Sequence, residues 1–406
     1  MRPSATLAIQ ERCRVLEAEG RSVCRLGLGQ SPFPVPERVV AALIAHAHEK
    51  DYLPVRGLPA LRQAVAAHHR RTQGLQIEAE DVLIGPGSKE LLFGLQLAYD
   101  AELILPAPSW VSYAPQARLL GRRVRWIPTD PEQGWRLQPE ALAAAWPVGR
   151  GPGLLVLNSP NNPVGHSYDA EHLAAIAAVA RERGLLVLSD EIYGALHHQG
   201  GHATIAAAYP EGTLISSGLS KWCGAGGWRL GTLAGPPQLR WLLDAMAVVA
   251  SETYTSVSAP IQHAAVVAYT DHPDLRSYLH RSRLVLRALG GWAAGRLRGA
   301  GCRCPEPEGA FYLLCDLSPA LGSAPISGAR LCTSLLDELQ IAVLPGSDFG
   351  LPPSDPVIRI ALVDFDGAAA LAAAHDGPID EAFLRRHCGR VVEGIERLVG
   401  WLRAGG

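Results

Sequence analysis

The segments GLLVLN (153–158), AEHLAAIAAVARER (170–183) and GLLVLSD (184–190) decide the fold class. The first and third are short, nearly continuous apolar runs, which is typical of strands that are buried on both faces. The middle segment has its apolar residues at helical spacing. The same alternation continues in VLI (82–84), ELLFGLQLA (90–98), ELILP (102–106) and GTLISS (212–217). We therefore predict an α/β core with a parallel sheet between helices.

Composition narrows the function. The chain has 406 residues, a formal net charge of −2 and no run rich in lysine or arginine, so nothing favours nucleic acid or an anionic membrane as a partner. We expect a small-molecule partner. Charged residues interrupt the N-terminus and no apolar stretch reaches the ~18 residues of a spanning helix, which predicts a cytoplasmic protein. Eight scattered cysteines fit reduced thiols, and no Cys or His spacing predicts a metal site.

The sequence also indicates how the chain is divided. A stretch rich in Ala, Arg and Gly around residues 285–301 predicts a helical bridge before GAFYLLCD (309–316) begins a new strand pattern. We predict a large domain over residues 41–285 and a small α+β domain over residues 286–406. The N-terminal segment, residues 1–40, is expected to join the small domain.

A single lysine stands in the glycine-rich window SSGLSKWCGAGGWRLG (216–231), directly after a strand-like run. Lys221 fits either a solvated loop residue or an amine that forms an imine. Arg229 follows eight positions later and could bind a phosphate through two parallel hydrogen bonds. By itself the window leaves both interpretations open.

Polar side chains end the strand-like segment GLLVLSDEIYG (184–194). Asp190 and Tyr193 would lie at the carboxyl edge of the sheet, where open α/β folds bind ligands. An ionised Asp190 beside a pyridine nitrogen would keep that nitrogen protonated, because a close opposite charge favours the charged form. The ring would then act as an electron sink. The alternative interpretation is a polar strand end that caps the next helix.

The window IGPGSKELLFGL (84–95) places glycines before a helix start. Free backbone N–H groups at Gly87, Ser88 and Lys89 could therefore bind a phosphate. The window lacks the GxxxxGK[ST] pattern of a P-loop, and GLGQ (27–30) lacks the GxGxxG spacing of a nicotinamide-binding fold. Both of those nucleotide-binding classes are disfavoured.

Three further positions could contribute to a site. Asn162, in the turn LNSPNNPVG (157–165), has an amide that could donate to a ring oxygen. Trp110, in PAPSWVSY, offers an aromatic face that could stack on a flat cofactor, although core packing is its default interpretation. Arg359, in VIRIALVD, is a lone cation in a strand-like run, and either a structural ion pair or a substrate carboxylate could neutralise it.

In order and spacing these windows resemble the fold-type I, class I/II aminotransferases, in particular the bacterial aspartate/prephenate subgroup. The resemblance runs almost end to end, through RPSATLAI (2–9), DYLPVRGLPALRQAVAAH (51–68), GSKELLF (87–93), PSWVSY (108–113), NSPNNPVG (158–165), SDEIY (189–193), SKWCGAGGWRLG (220–231), EGAFYLLCD (308–316), VLPGSDFG (343–350) and VIRIAL (357–362). It implies the α/β fold of the fold-type I PLP transferases. The large domain would then hold a mostly parallel seven-stranded sheet between helices, beside the smaller α+β domain.

The resemblance implies an enzyme that moves an amino group between an L-amino acid and a 2-oxo acid. Lys221 is expected to hold pyridoxal 5′-phosphate (PLP) as an internal aldimine and to move the proton. The other implied contacts are Asp190 with the pyridine nitrogen, Tyr193 and Asn162 with the phenolic oxygen, Trp110 with the ring face, Arg229, Ser88 and the amides of Gly87 and Lys89 with the phosphate, and Arg359, Gly29, Trp110 and Asn162 with the substrate. Tyr52 would reach the phosphate from a neighbouring subunit, which implies a homodimer.

Departures from the family pattern bear on the reaction. The segment GQSPFPVP (29–36) replaces a GEPDF-like segment beside the substrate, which leaves open a PLP-dependent lyase or cyclase acting on an arginine-like substrate. A PLP-binding sensor would need a regulatory domain, which the sequence does not show. Lys89 matches a position that binds a distal carboxylate in the subgroup and indicates acidic substrates. Gly218 replaces a phosphate-binding serine, so Ser217 or Ser220 would supply that contact.

Overall fold

The computed structural model describes residues 5–322, 326–375 and 377–405, apart from the side chains of residues 5–8 and 10. The strands are β1 (Cys24–Arg25), β2 (Val82–Gly85), β3 (Glu102–Ala107), β4 (Val124–Pro128), β5 (Gly153–Asn158), β6 (Leu186–Asp190), β7 (Thr213–Gly218), β8 (Gly231–Ala234), β9 (Tyr312–Asp316), β10 (Ile341–Ala342), β11 (Leu344–Pro345) and β12 (Val357–Ala361). The helices are α1 (Ala5–Ala18), α2 (Glu37–Ala45), α3 (Pro59–Gln73), α4 (Ser88–Ala98), α5 (Tyr113–Leu119), α6 (Pro139–Ala145), α7 (Ala170–Glu182), α8 (Arg240–Glu252), α9 (Ala259–Tyr269), α10 (Pro273–Arg298), α11 (Ser318–Leu321), α12 (Gly328–Leu339), α13 (Gly367–Ala373), α14 (Glu381–His387) and α15 (Gly389–Arg403).

Seven strands form the large sheet, in the order β2-β8-β7-β6-β5-β3-β4. The pairs β3–β4, β3–β5, β5–β6 and β6–β7 are parallel, whereas β8 is antiparallel to both of its neighbours. Six strands therefore run in one direction and β8 runs in the other. The mostly parallel seven-stranded sheet expected from the sequence is confirmed.

Both faces of this sheet are covered by apolar packing, which explains its continuous apolar strands. In β5, Leu154 and Val156 belong to a core with α4, α5 and α8. The alternate residues Leu155 and Leu157 pack in a second core with α6 and α7. Since successive side chains of a strand point to opposite faces, one apolar run supplies both cores.

A smaller antiparallel sheet, in the order β11-β12-β9, lies in the C-terminal part of the chain, and β1 pairs with β10 in parallel. The long helix α10 connects the regions that hold the two larger sheets. The predicted boundary between residues 285 and 286 lies inside α10, and the division into domains stays a prediction. No helix in the described part of the chain is both long and apolar enough to span a bilayer.

The start of α3 is held by a buried amide and a glycine. Gln262 is fully buried, accepts a hydrogen bond from the Leu58 backbone N–H at 2.8 Å and donates to the Val257 carbonyl at 2.8 Å. Gly57 has φ +101°, and a Cβ there would lie 2.4 Å from Cγ1 of Ile84. Position 57 therefore requires glycine for its backbone conformation and for the close approach of β2.

We predict that Gly57→Ala lowers the free energy of unfolding by about 2–4 kcal/mol, because left-handed strain adds to crowding against Ile84. Gly74→Ala is the matched control, since Gly74 also has positive φ (+70°) but nothing within 4 Å of the added Cβ. The control should lose only about 1 kcal/mol. Urea unfolding measures both, and equal losses would contradict the packing argument.

Candidate active site

A cavity of about 530 Å³ opens where β2, β3, β5, β6 and β7 end. Its lining contains most of the residues singled out in the sequence: Gly29, Ser88, Lys89, Trp110, Asn162, Asp190, Tyr193, Lys221, Arg229 and Arg359. Gly87 lies at its rim as the residue before α4. Parallel strands end at one edge of a sheet, so residues far apart in sequence meet there.

Lys221 follows β7 and reaches into the cavity. Its Nζ donates a hydrogen bond to the Gly29 carbonyl oxygen at 2.6 Å. Burial lowers the pKa of the Lys221 amine to about 8, and the positive charge of Arg359 adds to this effect. Near neutral pH most of this amine still carries its charge, but a larger fraction of it than of an ordinary lysine is uncharged, as a nucleophile requires.

Asp190 ends β6 and is buried. It accepts hydrogen bonds from the Tyr113 hydroxyl at 2.6 Å and from the Ile192 backbone N–H at 3.3 Å. Burial nevertheless raises the pKa of the Asp190 carboxyl to about 6, because these hydrogen bonds offset only part of the desolvation. A cationic group placed in the cavity beside this carboxylate would compensate the rest.

The next residue along the chain, Glu191, anchors this strand end. Its buried carboxylate accepts hydrogen bonds from Ser189 Oγ at 2.8 Å, from Thr204 Oγ1 and from Gln73 Nε2, and lies 2.9 Å from His202 Nε2. Burial acts to raise the pKa of Glu191, but His202 and the hydrogen bonds outweigh it and bring the pKa to about 2. The saturated carboxylate fixes the backbone from which the cavity residues project.

Arg359 lies on β12 and is 2% exposed. Its Nη1 donates to Asn162 Oδ1 at 3.2 Å and its Nη2 donates to the Gly27 carbonyl. The guanidinium carbon lies 4.7 Å from the Tyr312 ring centre and 5.1 Å from that of Phe349. Within the described residues, Nε has no hydrogen-bond partner and no carboxylate pairs with the guanidinium. The negative charge of Asp348 acts on the guanidinium without forming an ion pair, so an anionic ligand in the cavity would stabilise Arg359 further.

Two tyrosines complete the wall near Arg359. The hydroxyls of Tyr193 and Tyr312 lie 2.8 Å apart and share a hydrogen bond. A Cβ at Gly29 would lie 1.9 Å from the Tyr312 hydroxyl, so only glycine fits there. The Asn162 Nδ2 group has no hydrogen-bond partner in the described part of the chain, which leaves it able to donate to a ligand.

The start of α4 and Arg229 form a cradle. Gly87 has φ +93° and precedes the helix, and a Cβ there would lie 2.2 Å from Arg229 Nη2. Arg229 donates to the carbonyls of Gly226 at 2.8 Å and Pro86 at 3.3 Å, and among the described residues it has no carboxylate partner. A helix N-terminus beside an unpaired guanidinium suits a phosphate. Here α4 starts at Ser88.

The charges around the cavity do not balance. Four cations, Lys89, Lys221, Arg229 and Arg359, line it together with one carboxylate, Asp190. The Lys89 Nζ lies 5.1 Å from the Trp110 ring centre, and burial together with Arg229 lowers its pKa. This excess of positive charge favours a ligand with several negative charges, such as a phosphate and a carboxylate together.

Not every residue that was predicted to contact the phosphate lines the cavity. Tyr52 is 89% exposed and does not line the cavity of its own chain. Of the two serines expected near the phosphate, Ser220 lines the cavity and Ser217 does not. A Cβ at Gly218 would lie 2.6 Å from the Leu230 carbonyl oxygen, which explains why a serine is absent there.

Tyr113 and Tyr312 contact the predicted site residues but were not themselves predicted as site residues from the sequence. Tyr113 and Tyr312 stand inside the quoted motifs PSWVSY and GAFYLLCD, so their presence in a motif was the available signal. Their partners lie far away in the sequence, Asp190 at the end of β6 and Tyr193 three residues after it, and the pairing is visible only in the folded chain.

Comparison with known proteins identifies the family. The family model described as aminotransferase class I and II matches residues 21–373. The aspartate/prephenate aminotransferase of Thermus thermophilus is 36% identical over 354 residues, which cover 86% of this chain and 89% of that protein. The aspartate aminotransferase of Geobacillus stearothermophilus is 34% identical over 368 residues, with 86% and 90% covered.

Solved structures agree with the sequence matches. The Thermus thermophilus aspartate aminotransferase with maleate superimposes with a TM-score of 0.85 at 31% identity, covering 98% of this chain and 97% of that chain. The aspartate aminotransferase from Rhizobium meliloti gives a TM-score of 0.85 at 29% identity, with 99% and 97% covered. The fold and the resemblance inferred from the sequence are confirmed. The chain belongs to the class I and II aminotransferases and is an enzyme that transfers amino groups.

Proposed function

We propose that this aminotransferase uses PLP held at Lys221 to move an amino group between an L-amino acid and a 2-oxo acid. The observation that carries the proposal is the pairing of a low-pKa lysine with a cavity of unbalanced positive charge. PLP brings a phosphate, an aldehyde and a basic ring nitrogen, and each has a complementary group in the cavity. The family to which the chain belongs implies the same cofactor.

The residues that would hold PLP follow from their contacts. Arg229, Ser88 and the backbone at Gly87 form the cradle for the phosphate. Asp190 is the carboxylate that would face the ring nitrogen, and burial raises its pKa, which a positive charge beside it would lower again. Tyr193, Asn162 and Trp110 would contact the ring oxygen and the ring face, and the Lys89 amide would join the phosphate cradle.

When bound, PLP supplies an electron sink that stabilises negative charge at the substrate Cα. The chain supplies the rest of the chemistry. Asp190 keeps a negative charge at the buried end of the cavity, and this charge favours a protonated ring nitrogen. The free amine of Lys221 would carry the proton at Nζ. Arg359 would orient the substrate through its α-carboxylate.

Acidic amino acids fit the remaining charge. Lys89 lies beside Trp110 at the cavity wall and has no carboxylate partner within the described residues. A second substrate carboxylate would neutralise it. The relatives named above are aspartate or aspartate/prephenate aminotransferases, which supports the same substrate class.

We extend the proposal to a homodimer in the cytoplasm. Tyr52 is almost fully exposed and lies outside its own cavity, so it can contribute to a site only from another copy. All eight cysteines are free and buried, which fits a reducing compartment. A lyase or cyclase outcome is not favoured, because the curated relatives named above are aminotransferases.

A half-reaction tests the proposed activity. Incubation of the PLP-loaded enzyme with L-aspartate should convert the cofactor to its pyridoxamine form, and oxaloacetate should reverse the change. Lys221→Ala should lose both the visible absorbance band and the borohydride-reducible attachment of PLP. Failure of every common amino acid to produce the pyridoxamine form would overturn the transaminase assignment and return the lyase or cyclase alternative.

The pKa of Lys221 predicts the pH dependence of cofactor capture. An uncharged amine attacks the PLP aldehyde, so the capture rate should rise with pH through about 8 and level off above it. Arg359→Gln should move this midpoint upward, because the Arg359 charge contributes to the lowering of the pKa. Stopped-flow mixing of apoenzyme with PLP measures it. A midpoint near 10.4, the value of an ordinary lysine, would contradict the burial argument.

Arg359→Lys should lower kcat/KM for amino acids by about 10- to 100-fold, because a lysine cannot form two parallel hydrogen bonds to a carboxylate. PLP affinity should change little. Lys89→Met is the comparison variant, and it should affect dicarboxylic substrates much more than monocarboxylic ones. Equal effects of Arg359→Lys and Lys89→Met on alanine would refute the separate roles.

A further inference from the structure

A cluster of potential metal ligands lies outside the active-site cavity. His46 follows α2, Glu49 lies three residues later, and His263 lies on α9. One ligand atom from each residue can be chosen so that all three lie within 4.8 Å of one another. Among the described residues, no other group of at least three His, Cys, Asp or Glu side chains meets this condition.

The donor atoms of this cluster are not used by ordinary hydrogen bonds. His46 Nδ1 is shielded from solvent, has no hydrogen-bond partner and lies 3.6 Å from Glu49 Oε1. His48 Nε2 approaches the same oxygen to 3.7 Å. Both distances exceed a hydrogen bond. They are close to the ~3.3 Å that separates two ligands of a tetrahedral ion with bonds of about 2.0 Å.

We propose that His46, Glu49 and His263 bind a divalent transition-metal ion of the Zn²⁺ type, with His48 as a fourth ligand. Imidazole nitrogens with a single carboxylate suit Zn²⁺ and disfavour Mg²⁺ and Ca²⁺, which prefer all-oxygen sites. The sequence predicts no metal here because His263 is contributed by a different helix, far along the chain.

Coordination requires a small rearrangement. The rings of His46 and His263 are stacked, with centres 4.4 Å apart and planes inclined by 14°. Parallel rings direct their lone pairs side by side, so one ring must turn about its Cβ–Cγ bond to bring both nitrogens onto one ion. Both residues are only partly buried, and His48 is 75% exposed, which leaves these side chains room to turn.

A bound ion would also affect the neighbouring segment of the chain. Glu49 precedes Tyr52 by three residues, and the ion would join this segment to α9. An ion at His46, Glu49 and His263 would thereby restrain the segment that presents Tyr52. This consequence rests on the proposed function, in which Tyr52 contacts the phosphate of a neighbouring copy, whereas metal binding itself does not.

Direct titration tests the site. PLP-loaded enzyme, dialysed against a chelator, should bind one Zn²⁺ per chain in isothermal calorimetry, and Co²⁺ should give the visible spectrum of a tetrahedral site. His46→Ala, Glu49→Gln and His263→Ala should each weaken binding at least about tenfold. His272→Ala, which changes a partly buried histidine just before α10, is the matched control and should bind as the unaltered chain does.

Two results would overturn the metal site: absence of saturable Zn²⁺ binding, or unchanged affinity in the His46→Ala/His263→Ala double variant. Circular dichroism of each metal-free variant establishes that it is folded. The rate of PLP loss on dilution gives the second readout and should fall when Zn²⁺ is bound. If Zn²⁺ binds but the rate of PLP loss does not change, the ion does not restrain the segment that presents Tyr52. The Zn²⁺-binding measurements do not depend on amino transfer, so they test the metal site separately from the proposed function.

Discussion

Six strands of the large sheet run in the same direction, and this common direction determines where the cavity lies. The carboxyl ends of these strands meet at one edge, and the loops that leave them carry the cavity residues. The reversed strand β8 interrupts the pattern only between β2 and β7, so the turn before α4 still opens to the same edge as Lys221. Arg229, which lies two residues before β8, reaches this edge because that strand runs in the opposite direction.

Desolvation shifts the pKa values of the cavity residues. Burial raises the pKa of Asp190 and lowers that of Lys221, so each charge is held at a cost that a ligand can relieve. Arg359 is the extreme case, because it is buried and forms no ion pair with a carboxylate among the described residues. The same burial is harmless at Glu191, where hydrogen bonds and His202 saturate the carboxylate. The contrast separates a carboxylate whose partners are supplied by the fold from the groups to which the proposed function assigns a ligand.

Much of this could be predicted from local sequence. The apolar runs predicted the sheet because strands buried on both faces have little choice of composition, and the glycine-rich windows around Lys221 and Gly87 marked the loops. The contacts of Tyr113 with Asp190 and of Tyr312 with Tyr193 could not be predicted, since they join residues that are distant in sequence. The convergence of His46 and His263 was hidden for the same reason, because only the packing of α2 on α9 brings them together.

Arg359 belongs to the small antiparallel sheet, whereas Asp190 ends a strand of the large one and Lys221 follows another. The cavity is therefore bounded by both sheets, and its width is set by how they pack against each other and not by either sheet alone. Under the proposed function, the group that would bind the substrate carboxylate lies on β12 and the group that would face the cofactor ring lies on β6. A substitution that changes the packing between the sheets would then alter substrate binding without touching the cavity lining.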